Sequence, residues 1–139
     1  GSGDMLNRII HNVASLGIAD KFHFTGFLRG PEVTKMFAMS DVYVMPSVSE
    51  PFGISPLEAM RSNVPVIISK QSGVAEVLKH AIKVDFWDVD AMADAIYGLL
   101  HYRALSRIFK NYGKSEVDSL KWDNSAAKVI QVYQKALGL

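Results

Sequence analysis

The densest chemistry in the chain is Ser47-Val48-Ser49-Glu50-Pro51-Phe52-Gly53-Ile54-Ser55-Pro56-Leu57-Glu58-Ala59-Met60. It follows an apolar run, Val42-Tyr43-Val44-Met45, and leads into a helical pattern. A helix start offers N–H groups with no partner inside the helix, at the positive end of its dipole. Gly53, Ile54 and Ser55 stand there, which makes an anion site. Gly53 has no Cβ, so a ligand can approach its backbone closely. Pro56 suits the first turn, where a missing N–H costs nothing. Glu50 and Glu58 flank the segment, eight positions apart. Carboxylates beside a phosphate would repel it. They are better suited to sugar hydroxyls, as the acidic residue of a dinucleotide-binding sheet is to a ribose. A second reading is equally open on these residues alone: an early-turn Glu complements the helix dipole, and Glu-Pro is a common loop start.

The elements that must position this segment alternate between two periods. Met5, Leu6, Ile9, Ile10, Val13 and Leu16 recur at helical spacing, and Gly17 closes that helix. Phe22 to Thr25 reads as a short strand, and Pro31 opens a helix carrying Val33, Met36, Phe37 and Met39. Val42 to Pro46 and Val64 to Ser69 read as buried strands, with Pro65 near the start of the second, where a missing donor matters least. Between them lies a helix from Gly53 to Arg61, preceded by the loop of interest. A short helix from Gly73 to Leu78 and a short strand from Ile82 to Phe86 follow. Amphipathic helices are expected over Asp88–Tyr102, over about Leu105–Leu120 and from Asn124 onward. Alternating strands and helices predict an α/β domain built on a parallel sheet. In such sheets ligands bind at the carboxyl ends of the strands, where the Glu50 loop lies. The long C-terminal helices have no strand between them and are expected to pack outside the sheet as an appendage.

Composition narrows the function classes. With 139 residues, 49% of them hydrophobic and 21% charged, the chain can bury a core and is one domain or part of one. A net charge of +1 gives no reason to expect nucleic acid or an anionic membrane as partner. Cysteine is absent, which excludes disulfides, thiolate metal sites and a catalytic thiol, and suits the cytosol. No apolar stretch approaches the roughly 18 residues of a membrane span. His11, His23, His80 and His101 lack metal-ligand spacing. Trp87, Trp122 and the aromatic residues of the last helices read as core, and Arg29 and Lys35 as solvated surface.

Glu50 and Glu58, with Pro51-Phe52-Gly53 between them, resemble the E-x7-E signature of retaining glycosyltransferases of the GT-B fold. That family includes sucrose synthases, bacterial glycogen synthases and lipopolysaccharide or capsule glycosyltransferases. The approach Phe22-His23-Phe24-Thr25-Gly26-Phe27, the run Asp41 to Ser47, the close Glu58-Ala59-Met60 and the later Pro65-Val66-Ile67 are similar too. The resemblance spans residues 1–137. It implies a Rossmann-like sheet with flanking helices and a donor site for a nucleotide-diphosphate sugar, without a metal or other cofactor; no Asp-x-Asp pair lies beside the site. By the same resemblance Glu50 would be the catalytic contact to hydroxyls of the transferred sugar. Backbone N–H groups of Phe52, Gly53 and Ile54 would face sugar and diphosphate. Glu58 would take the ribose hydroxyls, with Leu57 packed near the ribose, and Phe27 and Leu28 would frame the base. Where the family has paired glycines this chain reads Ser72-Gly73, and no ligand role is carried over there. Ser62-Asn63 replaces a small residue and Gly before the Pro65 strand; Asn tolerates the left-handed backbone of a helix end.

The resemblance also implies what is not in the sequence. The family's domain opens with a strand whose following loop carries an Arg and a Lys that neutralise the diphosphate. A second strand ends in a Gly-x-Gly turn, which Gly1-Ser2-Gly3-Asp4 looks like. Residues 1–139 are therefore expected to be a partial C-terminal, donor-binding domain, inactive by itself, whose acceptor domain lies elsewhere in a cytoplasmic or membrane-peripheral parent. The absent strands would leave Phe22–Thr25 and Val42–Pro46 with open edges, which either close on each other or associate with a second copy. Two other classes stand beside the transferase. One is a non-catalytic nucleotide-binding or interaction module; the other is a GT-B-like nucleotide-sugar epimerase.

Overall fold

A computed structural model describes residues 3–138, so Gly1 and Ser2 of the expected Gly-x-Gly turn lie outside the described residues. The chain forms two compact units, one up to Met36 and one from Phe37 onward. The first holds helix α1 (Leu6–Ser15), a 3-10 turn at Ala19–Lys21 and the start of α2 (Pro31–Ala38). Gly17 ends α1 with φ 68°. The expected strand at Phe22–Thr25 is not formed. Its side chains suit a strand, but a strand exists only with a ladder partner, and no described residue supplies one.

The second unit is a three-stranded parallel sheet in the order β1 (Tyr43–Met45), β2 (Val66–Ser69), β3 (Ile82–Val84). Tyr43 pairs with Val66, and Ile67 with Ile82. All four residues of β2 are buried, the apolar Val66, Ile67 and Ile68 between two covered faces and Ser69 with its hydroxyl hydrogen-bonded. Two helices make the crossovers, α3 (Ser55–Arg61) and α4 (Val74–Val77). Three more follow: α5 (Val89–His101), α6 (Arg103–Ser119) and α7 (Trp122–Leu137). The expected α/β class is borne out.

The C-terminal helices correct the expected appendage. Ile67, Val84 and Leu99 form one core cluster, joined by Met92 and Ile96 of α5 and by Leu105 and Phe109 of α6. Thus α5 covers the sheet, and α6 reaches the same core while packing on α3. Of the three, α7 alone has no buried residue. The aromatic assignment holds for Phe109, which joins that core, and is corrected for the others. Trp122 is 89% and Trp87 62% exposed, and Tyr97, Tyr102, Tyr112 and Tyr133 are exposed as well. Tyr97 and Tyr112 stand off the narrow stripe their helices bury, Trp122 and Tyr133 lie on α7, Trp87 lies in the turn before α5, and Tyr102 at the junction of α5 and α6.

The turn into β2 forms as its sequence requires. Asn63 has φ 63° and donates its N–H to the Met60 carbonyl at 2.9 Å. A left-handed residue there ends α3 and turns the chain toward β2.

Glu116 anchors α6 to the loop after α4. Its carboxylate accepts the N–H of Lys79 at 2.7 Å, the N–H of His80 at 2.9 Å and a contact from the His80 ring at 3.0 Å. Burial opposes the charged form, but these donors outweigh it and hold the carboxyl below the ordinary glutamate range. An acid depressed on folding contributes stability above its unfolded pKa and loses it as pH falls through the folded value. Thermal melts should therefore drop as pH falls through and below the carboxylate range. Glu116→Ala should flatten that drop and cost about 1.5–3 kcal/mol at neutral pH. An unchanged pH profile in the variant would remove Glu116 from the account.

Candidate functional site

The site forms at the carboxyl ends of the strands, where β1 gives way to the Ser47–Ile54 loop. Three hydrogen bonds fix that loop. The buried Ser69 hydroxyl, at the end of β2, donates to the Ser47 carbonyl at 2.6 Å. Gly73 N–H donates to the Glu50 carbonyl at 2.9 Å, and Val74 N–H to the Phe52 carbonyl at 2.7 Å. The Ser72 hydroxyl, also buried, closes its own turn on the Ser69 carbonyl at 2.7 Å. Glu50 and Ser72 make an isolated parallel bridge, so the sheet continues one step past its named strands. Next along the rim, Gln71 and Lys70 both bond the carboxylate of Asp85, at 3.0 and 2.7 Å.

Gly73 makes this arrangement sterically possible. A Cβ there would lie 2.0 Å from the Pro51 carbonyl oxygen. Gly53 does a different job. Its φ of 93° turns the chain between loop and helix, with the Met45 methyl 3.0 Å from where a Cβ would stand. That left-handed residue is why α3 begins at Ser55, two residues later than the spacing suggests. No acceptor among the described residues takes the N–H groups of Phe52, Gly53 and Ile54.

Tyr43 ties β1 to the helix start, its hydroxyl 2.7 Å from the Ser55 hydroxyl. Burial raises the Tyr43 pKa; the Ser55 bond opposes this, and the charges of Glu58 and Glu50 add to it. The phenol therefore stays neutral, and both carboxylates act on one hydroxyl from the two sides of the Gly53 turn.

Glu58 is exposed in the first turn of α3 and Glu50 half-buried in the loop. Phe52 and Ile54 are exposed and Leu57 half-buried. Phe52, Ile54, Leu57 and Glu58 line one cavity of about 930 Å³. Phe27 and Leu28 belong to the first unit, where the Arg29 guanidinium lies 5.1 Å from the exposed Phe27 ring. The cavity is also lined by Arg61 on α3 and by Lys121 and Lys128 at the start of α7, to which the sequence assigns no role, and by Trp122, expected in the core and found exposed. Arg61 is three residues beyond Glu58, on the same helical face, and that spacing was a readable signal. The roles of Tyr43, Ser69 and Ser72 had no local signal. Among the described residues no group of three His, Asp or Glu is placed to hold a metal ion.

The glycosyl transferases group 1 family matches residues 1–116. The chain belongs to that family. An uncharacterized glycosyltransferase of Methanocaldococcus jannaschii is 34% identical over 99% of this chain and 36% of its own length. A GDP-mannose-dependent phosphatidylinositol monomannoside mannosyltransferase of Mycobacterium tuberculosis is 32% identical over 93% of this chain and 36% of its own length. Among solved structures, sucrose-phosphate synthase of Thermosynechococcus elongatus superposes with a TM-score of 0.80 at 29% identity, over 95% of this chain and 34% of that one. This group 1 chain therefore spans about a third of the length of these relatives. Its parallel sheet with flanking helices matches the Rossmann-like domain of GT-B structures. Among the described residues no helix of the group 1 chain is long and apolar enough to cross a membrane.

Proposed function

We propose that residues 1–139 are the donor-binding part of a retaining glycosyltransferase. The full-length protein would move a glycosyl group from a nucleotide-diphosphate sugar to an acceptor hydroxyl. The observation that carries this reading is the clamped loop. Backbone bonds to Gly73 and Val74 hold Glu50 and Phe52 in place, beside a cavity whose wall continues through Ile54 and Leu57 to Glu58. A site that must stabilise charge at one atom needs donors and acceptors fixed in advance.

In this reading Glu58 accepts hydrogen bonds from the ribose hydroxyls and Leu57 packs against the sugar ring. The free N–H groups of Phe52, Gly53 and Ile54 face the diphosphate and take up part of the charge that develops on it as the glycosyl bond breaks. Glu50 holds hydroxyls of the sugar that is transferred. Phe27 and Leu28 frame the base. No metal is required by these roles. Membership of the family and a relative named as GDP-mannose-dependent support the donor class.

Calorimetry tests the nucleotide side. Glu58→Ala should weaken binding of a nucleoside diphosphate to the full-length protein by about 1–3 kcal/mol, through loss of charge-assisted hydrogen bonds. Equal affinity in the variant would return Glu58 to the role of a helix-start residue complementing the dipole.

A further inference from the structure

A second cavity, of about 490 Å³, opens at the other end of the sheet. Asp41 and Asn63, which line it, precede β1 and β2, so it lies at the amino ends of parallel strands whose carboxyl ends carry the Glu50 loop. Leu99 and Leu100, from the last turn of α5, form its apolar part. The rest is one face of α6: Arg103, Ser106, Arg107 and Lys110 stand at helical spacing along its first two turns.

The charge on this face is segregated. The acidic residues of α6 are Glu116 and Asp118, both in its last turns, where Glu116 serves Lys79 and His80 and Asp118 pairs with Lys114. Arg103, Arg107 and Lys110 have no ion pair or hydrogen-bond partner among the described residues. Asp41 is the single carboxylate lining the cavity, so an excess of two positive charges remains. The placement also runs against the helix dipole. Cations are favourable near a helix C-terminus and unfavourable near its N-terminus, and Arg103 is the first residue of α6, whose start has no side-chain cap. Arg103 at the positive end of the helix, with Arg107 and Lys110 following it along one face, crowds like charge around a cavity, and an anion relieves that repulsion.

We propose that this cavity is a second anion site, specific for a phosphoryl group and separate from the donor site. Guanidinium forks match phosphate oxygens in pairs, and a phosphate monoester carries about two negative charges, the excess present here. The Ser106 hydroxyl and the Asn63 and Asn111 amides supply neutral donors. The cavity exceeds a lone phosphate in size, so the carrier of the phosphoryl group has room. That carrier is either a lipid headgroup or a soluble phosphorylated compound. The inference does not rest on the donor reading, because no residue lines both cavities.

The test uses the whole chain at near-physiological salt, with two probes. Inorganic pyrophosphate is titrated calorimetrically, and vesicles of phosphatidylcholine with and without phosphatidylglycerol are used in flotation. The expected result is binding of at least one probe, weakened tenfold or more in the double variant Arg103→Gln/Arg107→Gln. Pyrophosphate binding alone identifies a soluble ligand; flotation only with the anionic vesicles identifies a headgroup. Because the dipole conflict is relieved, the double variant should melt no earlier than the parent. If it does melt earlier, Lys110→Gln must still weaken probe binding at an unchanged melting temperature. Absence of binding to both probes overturns the proposal, as does undiminished binding in the variants.

Discussion

Gly73→Ala is expected to unfix the Glu50 loop and to be the most damaging single-methyl change in the chain. The added Cβ would stand 2.0 Å from the Pro51 carbonyl oxygen, a backbone atom that no rotamer change can move aside. Overpacking of this kind costs about 1–3 kcal/mol. The Gly73–Glu50 and Val74–Phe52 hydrogen bonds would be strained or lost with it, at about 0.5–1.5 kcal/mol each. Denaturant titration should show the midpoint fall, and nucleotide affinity should fall further than stability does. Gly113→Ala is the matched control. Its Cβ would meet the Met60 methyl at 3.0 Å, the far end of a flexible side chain that can rotate away. If the two variants are equally stable, the close approach at Pro51 is not a constraint.

Glu50→Gln is expected to lower kcat by on the order of a hundredfold, while changing nucleotide affinity far less. The substitution isolates the side chain well. The carbonyl of residue 50, which receives the Gly73 N–H, is untouched, so the loop keeps its tether. What is lost is a charge beside the sugar, where positive character develops as the leaving group departs. An interaction realised in the transition state is read in kcat, and one shared with the ground state in KM. A variant with full kcat would leave Glu50 as a loop residue whose importance lies in its carbonyl.

Much of this was legible before any coordinates, and the exceptions have a common cause. The runs Val42–Pro46 and Val64–Ser69 gave strands within two residues of β1 and β2, because a continuous apolar run between turn residues has few other uses in an α/β chain. Asn63 announced its left-handed turn, since Asn tolerates that backbone. Phe22–Thr25 misled because a strand is a relation between segments, and composition reports one segment only. The exposed Trp87 and Trp122 misled because an aromatic ring is a frequent core residue but not an obligatory one. At the site, Glu50 and Glu58 could be chosen by type and spacing. The restraints on them come from elsewhere in the chain: the Ser69 hydroxyl, the bare Cα of Gly73 and the Tyr43–Ser55 contact bind segments that only folding brings together.

The tether between Glu50 and Gly73 also sets an order of events during synthesis. The loop leaves the ribosome first, but the N–H groups that hold its carbonyls belong to residues 73 and 74. Until those emerge and β2 has paired with β1, nothing fixes the two carbonyls, and Glu50 has no defined position. The nascent chain therefore passes through an interval in which the acidic residues exist without a site. Competence arrives with the closing of the β1–α3–β2 crossover itself, so a ribosome stalled before residue 73 would hold the residues of the motif without their geometry.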